Sequence, residues 1–212
     1  MTPGVEVGAD GIQRCWWGAG DELYRRYHDT EWGRPVADDR RLFEKLSLEG
    51  FMSGLSWLTI LRKRENFRAA FANFDPAAVA RFTADDEARL MGDAGIVRNR
   101  AKIAATINNA RRFGAFVDEF GSFAAYVWRF EPEPRPRPLV QEALMQVKFS
   151  PEAAAMSKDL LRRGWVFVGP TTVHSFMQAM GLVNDHLDGC FAADDVERLR
   201  RSFSRPGPAA TR

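Results

Sequence analysis

Two cysteines and two histidines lie in pairs at opposite ends of the sequence. Cys15 in "RCWW" precedes His28 in "YRRYHDTEWG", and "NDHLDGC" contains His186 and Cys190 four positions apart. Two thiolates and two imidazoles form a donor set that suits tetrahedral Zn²⁺, and four protein ligands would make the site structural. Such a site would join the two ends of the chain. The alternative interpretation is a buried cysteine and an unrelated surface histidine, without a metal.

One acid, Glu49, lies within the otherwise apolar stretch "LEGFMSGLSW". A carboxylate in such surroundings is exposed, paired or functional. Flat side chains can sandwich a nucleobase while a carboxylate accepts hydrogen bonds from its exocyclic amine. The aromatic residues near Glu49 in the sequence are Trp17, Tyr24, Tyr27, Trp32 and Trp57. The alternative is that these residues belong to the core and that Glu49 is solvated at a helix bend.

A glycine-containing turn in "LMGDAGIVRNRAKI" separates an apolar helix end from a basic helix. In a helix–hairpin–helix, backbone N–H groups of such a turn face a DNA phosphate, and nearby cations hold the DNA backbone. This interpretation places a hairpin at about residues 85–112. The candidate contact residues are Gly92, Gly95, Arg98, Arg100 and Lys102. The alternative is an ordinary helical hairpin with a solvated basic face.

Helical periodicity extends through most of the chain, with apolar residues recurring at steps of three and four. Four capping signals predict where helices begin. These are Asp38, Asp75 before Pro76, Thr83 with Asp86, and Ser150 before Pro151. Gly50 and Gly54 are expected to interrupt the helix that contains Glu49. No strand pattern of convincing length is present, so we predict an all-α fold of many short helices.

The same pattern predicts one domain over residues 14–200, between loose tails at residues 1–13 and 201–212. The Pro-rich segment "EPEPRPRP", residues 131–138, is expected to be an extended and exposed connector.

The composition is that of an ordinary globular protein: 212 residues, 45% hydrophobic and 27% charged, with a net charge of +2. This weak positive charge permits nucleic-acid binding without requiring it. Two cysteines exclude a disulfide-rich secreted scaffold. No signal-peptide pattern and no apolar stretch of membrane-spanning length is present. We therefore expect a cytoplasmic protein that does not contact membranes, and nothing in the sequence requires more than a monomer.

Five stretches together resemble the DNA-3-methyladenine glycosylase I family of bacterial repair enzymes. They are "RCWW", "YHDTEWG", "LEGFMSGLSWLTILRKRENFRAAFANFDP", "DAGIVRNRAKI" and "FVGPTTVHSFMQAMGLVNDH". They occur in family order from about Arg14 to Cys190, which is most of the chain. The resemblance implies the helix–hairpin–helix DNA glycosylase fold.

The resemblance also implies roles for individual residues. It implies that structural Zn²⁺ is held by Cys15, His28, His186 and Cys190. Glu49 would be the base-recognition carboxylate, and the five aromatic residues would form the base pocket. Leu55 would be an apolar plug that enters the duplex. The substrate would be N3-methyladenine in alkylated duplex DNA, and the free base would be released by hydrolysis without a Schiff base.

Three positions depart from the family pattern: Met52 stands where Gln is usual, and Pro170 and His174 alter the "FVG…SF" stretch. These departures keep open a DNA-binding or lesion-sensing module without chemistry. A catalytic zinc hydrolase is a further alternative, although it would need an open coordination position.

Overall fold

The structure is a computed structural model that describes residues 2–207, and helices dominate this part of the chain. In chain order the α-helices are α1 (Glu22–Thr30), α2 (Asp39–Met52), α3 (Trp57–Arg62), α4 (Arg64–Ala70), α5 (Pro76–Ala80), α6 (Ala84–Gly92), α7 (Arg100–Phe120), α8 (Phe123–Trp128), α9 (Gln141–Gln146), α10 (Pro151–Arg162), α11 (Pro170–Ala179) and α12 (Ala192–Ser202).

All four predicted capping signals are confirmed. The carboxylate of Asp38 accepts from the backbone N–H of Arg41, and Asp75 caps α5 directly before its first residue, Pro76. The Thr83–Asp86 capping box begins α6. Ser150 caps α10 in the same way that Asp75 caps α5. These signals were readable because a cap satisfies backbone groups only two or three residues away.

Residues 2–13 contain a paired strand with a buried side chain, so the prediction of a loose tail over residues 1–13 is wrong for this described part. Strand β1 (Val5–Val7) pairs antiparallel with β2 (Gln13–Cys15). Val5 is buried, and it packs in a small apolar cluster with Cys15, Leu139 and Leu187. Strands of three residues are too short for an alternating pattern to show in the sequence.

The C-terminal prediction is also partly wrong. Helix α12 continues to Ser202, and the ring of Phe203 packs on Trp128 with centroids 4.6 Å apart. Arg205 makes an ion pair with Glu131 at 2.8 Å. The predicted tail therefore starts later than residue 201, and its last residues, 208–212, lie outside the described part of the chain.

Helix α2 is the centre of the main core. It contacts α3, α7, α8 and α11, and α11 packs in turn against α10. Much of the aromatic content fills this core, as the rings of Phe43, Phe113, Phe123 and Trp165 show by contacting one another. Because α2 is held on several sides, the side chains that it directs toward solvent-accessible space are fixed in position.

The Pro-rich connector has no regular secondary structure, and its residues are half-buried or exposed, as predicted. It is nevertheless attached to the segment before α12. Arg135 pairs with Asp185, and the guanidinium of Arg137 donates to the carboxylate of Asp188 and to the carbonyl of His186, both at 2.7 Å. The connector thereby braces the segment that contains His186.

No helix within residues 2–207 combines the length and the hydropathy needed to cross a bilayer.

Candidate active site and metal centre

A cavity of about 470 Å³ opens between α1, α2, α3 and α11. It is lined by all six residues expected to recognise a base: Trp17, Tyr24, Tyr27, Trp32, Glu49 and Trp57. The structure therefore brings together an acid and five aromatic side chains that span 41 positions of sequence. Segment 144–148 also reaches this cavity, with Leu144, Met145, Val147 and Lys148 at its rim.

Glu49 is buried, with only 3% of its surface exposed. The interpretation that it is a solvated residue at a helix bend is therefore wrong. One carboxylate oxygen, Oε1, lies 2.7 Å from the ammonium of Lys45, one helical turn earlier on α2. The other, Oε2, is buried and has no hydrogen-bond partner in the described residues. A buried carboxylate oxygen without a donor is a ready acceptor for a ligand that enters the cavity.

Lys45 is a site residue that the sequence analysis missed. Its ammonium donates to the hydroxyl of Tyr27 at 2.8 Å and lies 3.1 Å from the centroid of the Trp57 ring. Burial lowers the pKa of Lys45 to about 8, against the opposing effect of Glu49. The one available signal was the four-residue spacing of Lys45 and Glu49, which places them on one helix face.

The aromatic residues form two connected groups. Trp17 contacts Tyr24 and Trp32, with centroids 4.9 and 5.0 Å apart. Tyr27 and Trp57 contact each other at 5.3 Å with a tilt of 46°. Rings at this separation are in direct contact, so a base cannot be sandwiched between Tyr27 and Trp57.

A separate buried cluster brings the four sulfur and nitrogen ligands together. The ligand atoms of Cys15, His28, His186 and Cys190 all lie within 4.8 Å of one another. The Cys15 Sγ–His186 Nδ1 distance is 3.8 Å, and Cys190 Sγ lies 3.6 Å from both His28 Nε2 and His186 Nδ1. Tetrahedral Zn²⁺ with ordinary Zn–S and Zn–N bonds separates its ligand atoms by about 3.4–3.8 Å. The donor set and its spacing therefore fit a four-coordinate metal.

The second nitrogen of each histidine ring is also held. His28 Nδ1 donates to the carboxylate of Asp29 at 2.8 Å, and Asp29 is paired with the buried Arg14 at 2.9 Å. His186 Nε2 donates to the carbonyl of Trp32 at 3.2 Å. These contacts leave Nε2 of His28 and Nδ1 of His186 to face the centre of the cluster, as metal-binding histidines require.

The two thiols influence each other strongly. Contact with Cys190 and burial raise the pKa of the Cys15 thiol, whereas contact with Cys15 lowers the pKa of Cys190. A site of this kind favours one thiolate unless a cation balances a second. By the type and spacing of their ligand atoms, the four residues could hold a metal ion.

At Gly18, the cluster of Cys15, His28, His186 and Cys190 packs directly behind the cavity wall. A Cβ on Gly18 would lie 2.6 Å from the His28 ring, so only glycine permits this approach. Trp17, the neighbour of Gly18, contacts the His28 ring from the cavity side, with centroids 4.9 Å apart. The cluster of cysteines and histidines therefore lies directly behind part of the aromatic wall.

Helices α6 and α7 are joined by a short turn, as the glycine pattern predicted. Asp93 Oδ1 accepts from the backbone N–H of Gly95, and Lys63 donates to the carbonyl of Ala94 at 3.0 Å. A Cβ on Gly95 would lie 2.9 Å from Asp93 Oδ1 and 3.1 Å from Asn66, whereas one on Gly92 would meet nothing within 4 Å. Gly95 is therefore the glycine that this turn requires.

The predicted basic contacts divide into two kinds. Arg98 and Arg100 are exposed at the start of α7, where they are free to approach a phosphate. Lys102 is buried, and its ammonium donates to the carbonyls of Phe51 at 2.8 Å and Ser53 at 2.6 Å. The prediction that Lys102 contacts DNA is therefore wrong, since its side chain joins α7 to the end of α2.

Leu55 lies in the break between α2 and α3 and is 44% exposed. The break itself was predicted from Gly50 and Gly54. Gly54 adopts a positive φ of 79° there, whereas Gly50 lies within α2 and does not interrupt it. A leucine at the tip of such a loop presents an apolar side chain to whatever approaches the cavity from outside.

The sequence matches the methyladenine glycosylase family over residues 16–193. This match covers most of the chain and includes the cavity residues, the turn between α6 and α7, and three of the four metal ligands. The chain belongs to the methyladenine glycosylase family.

Individual relatives of this methyladenine glycosylase agree with the family match. DNA-3-methyladenine glycosylase 1 of Escherichia coli (strain K12) is 47% identical over 180 residues, which are 84% of this chain and 96% of that protein. A crystal structure of 3-methyladenine DNA glycosylase I superimposes with a TM-score of 0.79 at 47% identity, covering 84% of this chain and 98% of the other. A single-residue variant of 3-methyladenine DNA glycosylase I, solved in complex with 3-methyladenine, has a TM-score of 0.78 at 38% identity, covering 83% and 95%.

Two of the three departures from the family pattern reach the cavity of this glycosylase. Met52, at the end of α2, and His174, on α11, both line it. Pro170 does not, and it occupies the first turn of α11, where proline is tolerated because that N–H has no helical partner. The departures therefore alter the cavity wall and leave Glu49 and the metal ligands in place.

Proposed function

We propose that this methyladenine glycosylase is a monofunctional enzyme that excises 3-methyladenine from alkylated duplex DNA. The glycosylase class and the base follow from the family, which places the protein among the hydrolases of N-glycosidic bonds. The observation that carries the residue assignments is Glu49 Oε2, a buried acceptor without a donor in a cavity lined by five aromatic side chains.

The cavity suits a base that has left the helical stack. Its volume of about 470 Å³ exceeds what one purine needs, and its walls are mostly aromatic. Flipping the nucleotide requires unstacking, and a damaged base is easier to unstack than an intact one. Methylation at N3 leaves the base cationic and its glycosidic bond labile, so a pocket that selects and holds this base already favours cleavage.

Glu49 binds the base through Oε2, which accepts a hydrogen bond from its polar edge. A carboxylate also attracts a cationic base, and this attraction is stronger where water is excluded. Lys45 keeps Oε1 occupied, so Glu49 has one fixed direction in which to accept. As the glycosidic bond breaks, the sugar develops oxocarbenium character and water attacks it.

The absence of a lyase step is part of this proposal, and Lys45 tests it. A Schiff base needs an uncharged amine free to attack the sugar. The Lys45 ammonium is held between Glu49, Tyr27 and the Trp57 ring, so its nitrogen is not available. Borohydride treatment during turnover is expected to trap no covalent protein–DNA complex, and a trapped complex lost in Lys45→Met would overturn this part.

The metal in this proposal is Zn²⁺, held by Cys15, His28, His186 and Cys190. When bound, it cross-links the two ends of the chain and balances the charge of the thiolates. Four protein ligands in a buried cluster leave no position for a reacting water, so the role is structural. Reduced cysteines of this kind persist in a reducing compartment, which supports a cytoplasmic location.

DNA would approach through the helix–hairpin–helix formed by α6, the turn and α7. The side chains of Arg98 and Arg100 would contact phosphates, which position a protein without reading sequence. The N–H of Gly95 already donates to Asp93 Oδ1, so a phosphate contact there would have to replace this hydrogen bond. Leu55 would enter the space vacated by the flipped base. We further propose that the enzyme acts as a monomer, since a single chain supplies the cavity, the hairpin and the metal ligands.

The experiment that tests this function is base release from methylated duplex DNA, followed by chromatography of the free bases. The wild-type protein is expected to release 3-methyladenine over many turnovers, and Glu49→Ala is expected to release far less. Folded, metal-loaded protein that releases no base would overturn the proposed activity. Equal release by both proteins would overturn only the role of Glu49.

A further inference from the structure

His174 is a buried polar side chain in the cavity wall with both ring nitrogens unpartnered. It is 4% exposed, and neither Nδ1 nor Nε2 has a hydrogen-bond partner within the described residues. A neutral imidazole carries one donor and one acceptor. Leaving either unsatisfied in a buried position destabilises the fold, so an imidazole retained here is suited to a partner that the described residues do not provide.

The neighbours of His174 are already engaged with one another. Gln178, one turn further along α11, donates to Asp185 at 2.8 Å, and Asp185 is also paired with Arg135. These contacts exclude Gln178 and Asp185 as obvious partners for the imidazole. His174 lines the cavity together with Glu49, Tyr27 and Trp57, and its two ring nitrogens are buried within that wall.

The buried position favours the uncharged form of the imidazole. Burial is the largest influence on it and lowers its pKa from the usual value, against the weaker opposing effect of Asp185. It therefore offers a hydrogen-bond donor and an acceptor near neutral pH without adding positive charge. A cationic base is not repelled by such a residue, whereas a protonated histidine would repel it.

We propose that His174 is a base-binding residue of this site, which forms a hydrogen bond with the polar edge of the bound methylated purine from α11 while Glu49 does so from α2. Adenine-type bases present an exocyclic amine as donor beside ring nitrogens that accept. Either nitrogen of a neutral imidazole has a complementary partner on that edge. This inference rests on the proposed function, because it assigns a second recognition group to the same cavity.

The direct test follows the ring nitrogens of His174 by NMR while 3-methyladenine is added to zinc-loaded protein labelled with ¹⁵N-histidine. The chain has three histidines, and two belong to the metal cluster, so the His174 signals are readily assigned. A hydrogen bond to the base is expected to shift one ring-nitrogen resonance at saturation. Resonances that stay unchanged at saturation would overturn the inference.

Three substitutions measure the contribution of this contact to binding. His174→Phe keeps a planar ring and removes both polar atoms, and His174→Asn retains a donor and an acceptor. Met177→Leu is the matched control, because Met177 is buried on the same helix and does not line the cavity. We expect the dissociation constant for 3-methyladenine to rise about 3- to 10-fold in His174→Phe, as loss of one neutral hydrogen bond implies, to rise less in His174→Asn, and to stay unchanged in Met177→Leu.

A purely structural role predicts a different pattern. In that case His174→Phe changes only the Tm and leaves the affinity for the base unchanged, which would overturn the inference. An effect on excision from DNA with unchanged free-base affinity would also overturn it, since the contact would then be to the sugar or phosphate. Wild-type protein that neither binds nor releases 3-methyladenine would instead overturn the proposed function itself.

Discussion

Lys45 and Glu49 form a buried ion pair one turn apart on the central helix, with 2.7 Å between the ammonium and the carboxylate oxygen Oε1. The pair divides the carboxylate into an oxygen occupied by the protein and an oxygen without a partner. The charges of these two residues also oppose each other before a ligand enters. Removing either member therefore changes both ligand binding and the stability of the fold.

Substitutions of Glu49 are expected to separate the effect on ligand binding from the effect on the stability of the fold. Glu49→Gln removes a charged acceptor, so we expect 3-methyladenine to bind about 10- to 100-fold more weakly, as loss of a hydrogen bond to a charged group implies. Glu49→Ala also leaves the Lys45 ammonium uncompensated and should lower the unfolding free energy by about 3–5 kcal/mol. Calorimetric titration and urea unfolding measure the two quantities. The double variant Lys45→Met/Glu49→Gln should regain stability without regaining affinity, and recovery of affinity would contradict our assignment.

The pKa of Lys45 predicts a rise in stability at alkaline pH. Lys45 titrates at about 8 in the folded chain and at 10.5 when exposed, because burial disfavours the ammonium. Between these values the unfolded chain binds more protons, so the unfolding free energy contributed by Lys45 increases with pH by roughly 3 kcal/mol in total. Urea unfolding of zinc-loaded wild type and Lys45→Met from pH 7 to 10.5 should show this increase in the wild type alone. Parallel curves for the two proteins would show that Lys45 titrates normally.

Removing the metal should lower the unfolding free energy of the domain. A metal that cross-links residues near the two ends closes a loop of more than 100 residues. By analogy with a disulfide, its loss should lower the unfolding free energy by about 5 kcal/mol. The Tm should then fall by about 10 °C or more. Purified protein should contain one zinc ion per chain, and a strong chelator should lower the Tm to that of Cys190→Ser. Asp29→Asn, which weakens the hold on His28, should bind zinc about 10- to 100-fold more weakly. Metal-free protein with an unchanged Tm would exclude the structural role.

Arg98 and Lys102 are four residues apart in sequence and should give opposite results. Arg98→Ala should weaken binding to undamaged DNA and reduce the slope of log K against log salt by about 1, as loss of one phosphate contact implies. Lys102→Met should leave that slope unchanged and lower the unfolding free energy by about 1.5–3 kcal/mol, since two carbonyls lose a charged donor. A salt slope altered equally by both substitutions would place Lys102 at the DNA after all.

Leu55 should matter for DNA and not for the free base. Leu55→Ala shortens the apolar side chain that we place in the duplex, so excision from double-stranded DNA is expected to fall about 10-fold. The affinity for free 3-methyladenine should stay at the wild-type value, because Leu55 does not line the cavity. Single-stranded methylated DNA serves as the control, since it needs no replacement for a lost stacking partner. An equal loss on single and double strands would argue against insertion.

The features that were predictable from the sequence are local or depend on rare residue types. The caps at Asp38 and Asp75 need only the next few residues, and periodicity over 14 residues identifies α2. The four candidate metal ligands stood out because cysteine and histidine are scarce in this chain, and the family resemblance, not their residue types alone, favoured a metal. The cavity residues were recognisable as a set because one acid lies among apolar and aromatic neighbours.

The features that were missed depend on contacts between distant segments. The Lys102 ammonium meets the carbonyl of Phe51, 51 positions away, and nothing near Lys102 in sequence distinguishes it from the exposed Arg98 and Arg100. Val5 is buried because Leu139 and Leu187 cover it. The sequence pattern of a three-residue strand is too short to predict this burial. His174 was noted as a departure, but its position in the cavity wall follows from how α11 packs on α2.

The cluster of Cys15, His28, His186 and Cys190 can form only late in translation, because its residues come from both ends of the chain. Cys15 and His186 lie 3.8 Å apart in space and 171 positions apart in sequence. At about 5–20 residues per second, roughly 10–35 s separate the translation of these two residues. Throughout that interval the nascent chain exposes a cysteine and a histidine whose partners do not yet exist. A truncated chain that ends before His186 would lack two of the four clustered residues, and its N-terminal hairpin would be held only by earlier contacts such as Arg14–Asp29 and Val5–Leu139.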